Sequence, residues 1–335
     1  MVLCRLTVPL GATRVHTHPN ALWVLHISPQ KGEKPTFPAA VGSRPSRETP
    51  GAWSMKGLFV ISGLHVQHHA RCRLGMWCLL ASLCVGASAN AEDSPEIAKQ
   101  AQNPIASLIS VPFQNNLTFG VGESSRVQDT LLIQPVVPFR LTSDWNLITR
   151  TIVPLIDQPT LAPGLGNVSG LGDVQLSLYM SPVKPSGGLI WGLGPSFSLP
   201  TASDRNLGTG RYSAGLSTAL LTIQGPWLVG VLVTDVASVG GRDERQSVHR
   251  FLMQPFVNYN FSHSWYLASS PMMTADWKAT SGNKWTVPIG GGGGKILHIG
   301  RQAVNAYIQA FDNVVQPHEG GTWTLRFQVQ LLFPK

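Results

Sequence analysis

The sequence predicts an all-β protein, an up-and-down antiparallel transmembrane β-barrel of about 12 strands. Three observations carry this prediction. Apolar and polar residues alternate along many segments, short turns and longer polar loops join these segments in turn, and no helix is evident after residue 110. A strand with one lipid-facing side and one lumen-facing side has this two-residue period, whereas an α/β fold would interleave helices with the strands.

The last predicted strand shows the alternation most clearly. Every odd position from Trp323 to Phe333 holds a large apolar residue, and the even positions from Thr324 to Gln330 are polar. These 11 residues suit a tilted strand that crosses a bilayer. Aromatic residues at both ends of the apolar face are typical of the girdles at membrane interfaces, and strands of soluble sandwiches carry them less often.

The same alternation predicts the remaining strands. Residues 227–239 are ambiguous, because apolar residues occupy both faces. Gly290–Gly294 predict a bulged or sharply bent strand; a phosphate-binding loop is disfavoured, because Lys295-Ile296 does not supply the Lys-Ser/Thr pair that such a loop needs. The predicted strands are centred near residues 119, 135, 150, 177, 195, 217, 233, 255, 271, 290, 309 and 328.

The positive charge and the cysteines belong to the N-terminal part of the chain. A net charge of +8 and four cysteines first suggest nucleic-acid binding, a zinc site or disulfides. Residues 1–91, however, hold nine Lys/Arg, two acids and all four cysteines, whereas residues 92–335 hold sixteen Lys/Arg and fifteen acids, a net charge of +1. We therefore expect no nucleic-acid partner, no cofactor and no thiolate metal site in the barrel.

Residues 55–91 have the order of a secretory signal peptide. Arg71 and Arg73 precede an apolar run from 75 to 86, and the small residues Ala89 and Ala91 follow it. The run is too short for a permanent transmembrane anchor, which is the alternative. Residues 1–54 are interpreted as an over-extended start or an unstructured leader. Export by a cleaved signal peptide, together with a barrel, predicts the bacterial outer membrane.

Residues 92–116 are predicted to be a periplasmic lead-in to a barrel at residues 117–335. Apolar residues at 97, 101, 105, 108 and 109 have helical spacing, which Pro104 interrupts. The favoured interpretation is a loose segment. The alternative is a short helix that plugs or caps the barrel.

Several runs of residues in the barrel form a recognisable set: Pro112-Phe113-Gln114-Asn115-Asn116, Leu132-Ile133-Gln134-Pro135, Asp144–Thr151, Gly170-Leu171-Gly172-Asp173 and Leu325–Gln330. Together they resemble a group of bacterial outer-membrane proteins commonly labelled "neuromedin U" or "transporter", which is similar to the outer-membrane barrels of the phenol meta-degradation type. The resemblance covers about residues 100–335. It implies an outer-membrane barrel and supplies no catalytic or binding residues.

One face of each strand is predicted to line the lumen. This face is mostly uncharged, and charges at membrane depth are expected only where they meet water or a partner. Two interpretations stay open: a constriction in which Arg150 and Arg326 select anionic or polar solutes, and a network of salt bridges and amides that fills the lumen. The predicted lumen-lining residues are Gln134, Arg140, Arg150, Asp173, Gln254, Asp276, Gln309, Arg326 and Gln328.

The sequence thus predicts a passive channel or transporter for small solutes, without identifying the solute. The alternative is a non-conducting barrel that acts structurally or through its loops. Enzymatic activity is not expected, because the barrel region has no Gly-x-Ser-x-Gly elbow and its histidines are predicted at strand ends or turns. The expected partners are outer-membrane lipid, a small solute and the assembly machinery that reads the C-terminal strand.

Overall fold

The computed structural model describes residues 95–160, 166–185 and 187–333. The predicted leader at 1–54, the signal peptide at 55–91 and the first residues of the lead-in lie outside the described residues. Within the described ranges the chain forms a helix, a 3-10 turn and one antiparallel sheet of 15 strands. No helix in this part of the chain is long and apolar enough to span a membrane.

The 15 strands build 12 crossings of a closed barrel, because three crossings are each interrupted once. The uninterrupted crossings are β1 (Ile109–Val121), β4 (Trp145–Gln158), β7 (Leu189–Leu199), β8 (Arg211–Gln224), β9 (Trp227–Gly241), β10 (His249–Asn260), β13 (Trp285–Ile299), β14 (Gln302–Val315) and β15 (Trp323–Phe333). The interrupted crossings are β2 (Arg126–Ile133) with β3 (Val136–Arg140), β5 (Val168–Leu171) with β6 (Val174–Pro182), and β11 (Trp265–Ser269) with β12 (Met273–Asp276).

Each crossing pairs with the next along the chain, and the last pairs with the first. The closing register of β1 with β15 runs from Ile109 opposite Phe333 to Phe119 opposite Trp323. Closure leaves no unpaired sheet edge, which a membrane barrel requires because lipid cannot satisfy free backbone groups. The predicted fold is confirmed, including its 12 crossings.

The connections differ in length between the two ends of the barrel. We call the end where β1 begins and β15 finishes the plug end, and the opposite end the loop end. Most connections at the plug end are tight turns, such as residues 225–226 and 300–301, whereas most at the loop end are longer. The first loop-end connection is an exception, because residues 122–125 form a tight hairpin where a longer loop was predicted.

Two predicted details need correction. The barrel begins at Ile109 rather than at residue 117, because the start of β1 already pairs in register with β15. The residues Gly290–Gly294 carry no bulge; they pair regularly with β14, and the irregularity of β13 lies at Val287/Pro288.

Aromatic side chains gather at both ends of the outer surface. At the plug end the rings of Trp145 and Trp191 lie 5.8 Å apart, and at the loop end Phe119 stacks on Trp323 at 4.0 Å. Two aromatic belts around an aliphatic zone form the outer surface expected of a barrel in a bilayer. Exposed aliphatic side chains of this zone include Leu155, Leu193, Leu216, Leu220, Leu267, Ile289 and Ile308.

The helix α1 (Pro95–Gln102) and the segment after it fill the plug end of the barrel from inside. Ala98 and Ala101 are buried in one apolar cluster with Tyr266 of the barrel wall. Ile105 is buried in a second cluster with Tyr179. The favoured interpretation of a loose lead-in is therefore wrong, because the helical spacing turns small apolar residues toward the wall, where they allow the helix to fit.

This plug also explains the ambiguous pattern of β9. Leu228 and Leu232 are turned inward and are almost fully buried, in the cluster that contains Ile105. The inward face of β9 meets the plug rather than water at this depth. Both faces of the strand are therefore apolar, and the two-residue alternation is lost.

Candidate functional site in the barrel lumen

Two adjoining cavities lie in the barrel interior. The plug-side cavity has a volume of about 130 Å³ and touches the end of α1. The loop-side cavity has a volume of about 340 Å³ and extends toward the loop end. The two cavities share the lining residues Gln114, Gln134, Arg150 and Gln254.

Six of the nine predicted lumen-lining residues come together around these cavities. Five of them occupy inward positions of β4, β10, β14 and β15, and the sixth lies in the interruption between β2 and β3; each is joined to at least one other by a hydrogen bond or by a shared cavity. Four of them carry uncharged amides, so the wall is polar and mostly neutral. The six residues are Gln134, Arg150, Gln254, Gln309, Arg326 and Gln328.

Arg326 is bound tightly into the wall. Its Nε donates to the Asn116 side-chain oxygen at 3.0 Å. Its Nη1 donates to the Ser270 carbonyl at 2.9 Å and to Gln309 Oε1 at 3.3 Å. The guanidinium also lies 4.6 Å from the ring centroid of Phe311. With 4% of its surface exposed, Arg326 fits the interpretation of an internal network, although amides rather than acids surround it.

Arg150 lies in a different environment from Arg326. Its Nη2 donates to Gln134 Oε1 at 2.6 Å, the only hydrogen bond of its guanidinium within the described part of the chain. It is half-buried and borders both cavities. None of the described residues that line the two cavities is Asp or Glu. The positive charge of Arg150 therefore faces the lumen without a neighbouring carboxylate, as the interpretation of an anion-selecting constriction requires.

Two tyrosines complete the network, and the sequence did not single them out as site residues. The Tyr266 hydroxyl donates to Asn305 Oδ1 at 2.6 Å, and the Tyr307 hydroxyl donates to Gln328 Oε1 at 2.8 Å. Tyr307 was visible on the polar face of its strand. Tyr266 lies on a five-residue strand, where alternation gives a weak signal.

The three other predicted residues lie at the ends of the barrel. Arg140 is exposed at the plug end and donates to the Thr142 and Ser143 carbonyls of its own turn at 3.3 and 3.2 Å. Asp276 ends β12 at the loop end, and its Oδ1 accepts from the backbone N–H of Lys278 at 2.9 Å. Both side chains bind to local turns, and neither lines the two cavities.

Asp173 organises a loop rather than the lumen. It is buried at the interruption between β5 and β6, where its Oδ2 accepts from Thr209 through the backbone N–H at 2.6 Å and the hydroxyl at 2.8 Å. Its Oδ1 accepts from the Ala202 N–H at 3.4 Å. The carboxylate thus holds residues 201–210 against the end of the barrel and lines a pocket among the loops.

Comparison with solved structures agrees with this architecture. An outer-membrane channel from Pseudomonas putida F1 matches with a TM-score of 0.52 and 16% identity, over 68% of this chain and 94% of the channel. The chain has the fold of an outer-membrane β-barrel.

Two further similarities have lower TM-scores. Outer-membrane phospholipase A from Escherichia coli matches with a TM-score of 0.38 and 14% identity, over 71% of this chain and 97% of the enzyme. A FadL homologue from Pseudomonas aeruginosa has a TM-score of 0.33 and 9% identity, over 73% of this chain and 95% of the homologue. No family model and no curated protein matches the chain.

The loop-side cavity of this outer-membrane barrel has aliphatic side chains on two opposite sides. Leu132, Ile152, Val236 and Leu252 occupy inward positions there. Hydroxyl groups belong to the polar part of the lining. One of them is that of Ser177, whose residue is paired directly with Arg150 across β4 and β6. The cavity therefore offers an apolar surface, hydroxyls and amides, and a guanidinium at the border with the plug-side cavity.

His249 pairs with Asp235 and not with Asp243 or Glu244, the acids that lie closest to it in the sequence. Its Nε2 lies 3.0 Å from Asp235 Oδ2, and the Trp277 indole N–H donates to the other oxygen of that carboxylate at 3.3 Å. Asp235 and His249 occupy outward positions of β9 and β10, so this pair lies on the outside of the wall. No serine or threonine hydroxyl in the described ranges bonds to either residue.

Proposed function

We propose that this outer-membrane barrel is a passive channel for small solutes with a mostly neutral polar lumen and a preference for anions. The observation that carries the proposal is the pair of adjoining cavities, lined by amides and hydroxyls, with the guanidinium of Arg150 between them. The effective dielectric constant in a narrow lumen with protein walls is lower than in bulk water. A positive charge there attracts anions and repels cations more strongly than it would in water.

The location and export of the chain follow the same proposal. Aromatic belts around an aliphatic zone fit a bilayer, with the plug end in the periplasm and the loop end outside. Residues 55–91 would direct export and be removed, and β15 would be the strand that the assembly machinery reads. We also infer membership of the group labelled "neuromedin U" and "transporter"; in support, Gln134, Arg326 and Gln328 of the runs that carry the resemblance lie in the lumen network.

A non-conducting barrel is the second candidate, because α1 fills the plug end. A further observation favours it: a pocket of about 560 Å³ lies among the loops, where Arg205, Arg242 and Arg245 contribute to its lining. Such a barrel would act by binding a partner at the loop end. Hydrolase activity has less support, since His249 and Asp235 have no hydroxyl nucleophile bonded to them in the described part of the chain.

Recordings in planar lipid bilayers test the channel directly. The processed protein is expected to give discrete conductance steps and a reversal potential that favours chloride over potassium. Arg150→Ala is expected to shift the reversal potential toward potassium, whereas Arg140→Ala at the plug-end turn leaves it unchanged. If the wild type, Arg150→Ala and Arg326→Ala all pass no current, the channel is rejected in favour of the non-conducting barrel.

A further inference from the structure

We propose that the loop-side cavity is a binding site for small amphipathic monocarboxylates. In this site the carboxylate of the ligand pairs with Arg150, and its apolar body lies against Leu132, Ile152 and Leu252. The inference deepens the proposed channel function and rests on it, because it names the class of solute that the lumen would receive.

The charge of Arg150 is the first part of the argument. A guanidinium has five N–H donors, and one of them is used by Gln134 at 2.6 Å. A cation withdrawn from bulk water is costly unless it is paired. Since no carboxylate of the described lining faces it, an anion from outside is the partner that the site lacks. A carboxylate matches the planar fork of a guanidinium and accepts two parallel hydrogen bonds from it.

Neighbouring donors can satisfy the other lone pairs of a bound carboxylate. Ser177 is paired with Arg150 across β4 and β6, and its hydroxyl lies 2.8 Å from that of Ser196. The side-chain amides of Gln114 and Gln254 reach the same boundary between the cavities. The carboxylate would therefore meet a guanidinium, hydroxyls and amides, and no like charge.

The aliphatic part of the lining decides between a plain anion site and a site for amphipathic molecules. Three aliphatic side chains, Leu132, Ile152 and Leu252, lie on strands on opposite sides of the cavity and continue the lumen from Arg150 toward the loop end. An inorganic anion would gain nothing from them, whereas a hydrocarbon chain would be removed from water. A volume of about 340 Å³ is at the lower end of the range for ligand pockets, so the ligand is small.

The number of cations limits the charge of the ligand. Arg250 is the other charged residue of the lining, and it lies near the loop end, where its Cα is paired with that of Asp276. It can guide anions into the mouth of the barrel. At the inner end of the cavity Arg150 can pair with one negative charge of the ligand. A second negative charge on the ligand would lie unpaired beside aliphatic side chains, which is unfavourable.

Calorimetric titration of the processed barrel in detergent tests the site with three probes: hexanoate, its uncharged analogue hexanamide, and acetate, which lacks the hydrocarbon chain. Hexanoate is expected to bind about tenfold or more tightly than either of the others, since hexanamide lacks the charge-assisted hydrogen bonds and acetate lacks the apolar contact. Arg150→Gln is expected to reduce hexanoate binding to the level of hexanamide. Arg140→Gln, a cation outside the cavities, leaves hexanoate binding unchanged.

Two results overturn the inference in the wild type alone, so the test does not depend on a variant that folds. Equal affinity for acetate and hexanoate would leave only a general anion site, and equal affinity for hexanamide and hexanoate would exclude carboxylate recognition. Conductance is read separately. A barrel that binds hexanoate but passes no current contradicts the channel and keeps the site, whereas a chloride-selective barrel that does not distinguish the probes contradicts the site alone.

Discussion

The guanidinium Nη1 of Arg326 donates a hydrogen bond to the backbone carbonyl of Ser270 at 2.9 Å, although β13 and β14 lie between their strands. Ser270 lies in the interruption between β11 and β12, where its carbonyl takes no part in strand pairing. The Gln254 amide donates to the same oxygen at 3.4 Å. The interrupted crossing therefore provides the acceptor that holds the buried guanidinium.

Replacing Arg326 is expected to destabilise the barrel more than it changes ion selectivity. Arg326→Met keeps an unbranched side chain and removes the guanidinium that donates to Asn116, Ser270 and Gln309, although each of these acceptors keeps one neutral donor. Because hydrogen bonds from a charged donor are stronger than neutral ones, and several are lost at once, we expect the free energy of unfolding to fall by about 2–4 kcal/mol. Urea unfolding in detergent measures it. Arg140→Met is the control, and equal stability of the two variants would contradict the role given to Arg326.

The glycines of β13 make room for these long contacts. Gly292 is paired with Gln309, and a Cβ on Gly292 would lie 1.9 Å from the Ile308 carbonyl oxygen. Gln309 Nε2 reaches past β13 to the Ala268 carbonyl at 3.2 Å. A side chain at this glycine would press on β14 and occupy the space over which that amide extends.

Gly292→Ala is therefore expected to lower the stability of the barrel by about 1–3 kcal/mol, the usual cost of overpacking. The fraction that runs as the folded band in unheated gel electrophoresis, followed with temperature, measures it. Gly240→Ala adds the same methyl group where no atom lies within 4 Å of the new Cβ. If Gly292→Ala had the same apparent melting temperature as this control, β14 would accommodate the methyl group without loss of stability, and the prediction would be wrong.

The alternation of apolar and polar residues predicted the strands of the barrel wall better than it predicted the plug inside the barrel. The two-residue period identifies the crossings other than the ambiguous β9, and six of the nine proposed lumen residues, because successive side chains of a barrel strand point to the lumen and to the lipid in turn. The plug was less visible, since α1 has eight residues and Pro104 follows it closely. Near strand ends the alternation does not predict which side chains line the lumen. A side chain there can form hydrogen bonds with the backbone of a turn instead, as those of Arg140 and Asp276 do.

Asp173 is expected to control the order of the loop at residues 201–210. Asp173→Ala removes the acceptor of the Thr209 N–H and hydroxyl, at 2.6 and 2.8 Å, and that of the Ala202 N–H. Because hydrogen bonds to a carboxylate are stronger than neutral ones, trypsin cleavage after Arg205 is expected to become about tenfold or more faster. Asp243→Ala is the control, since that side chain is fully exposed. Equal cleavage rates for both variants would argue against this role.

Gln102 of α1 and Asn260 of β10 form a contact that is expected to keep the plug closed. Gln102 Nε2 donates to Asn260 Oδ1 at 2.7 Å, and Asn260 Nδ2 donates back to Gln102 Oε1 at 3.3 Å. Asn260 also donates to the Pro226 carbonyl at 3.1 Å, which ties the contact to the turn between β8 and β9. If the channel opens by release of α1, these bonds are present in the closed state and lost in the open one.

Gln102→Ala is therefore expected to raise the open-to-closed ratio in single-channel recordings by about two- to tenfold, which corresponds to the net contribution of one or two partly buried hydrogen bonds. Asn260→Ala should act in the same direction. The double variant should add little to the larger single effect, because both changes remove one interaction. Gln302→Ala removes bonds to the Ala303 and Leu332 carbonyls at the same end of the barrel without touching α1, so its ratio should match the wild type. Additive effects of the two single changes, or an equal effect of Gln302→Ala, would mean that the plug is held by its apolar clusters and not by this contact.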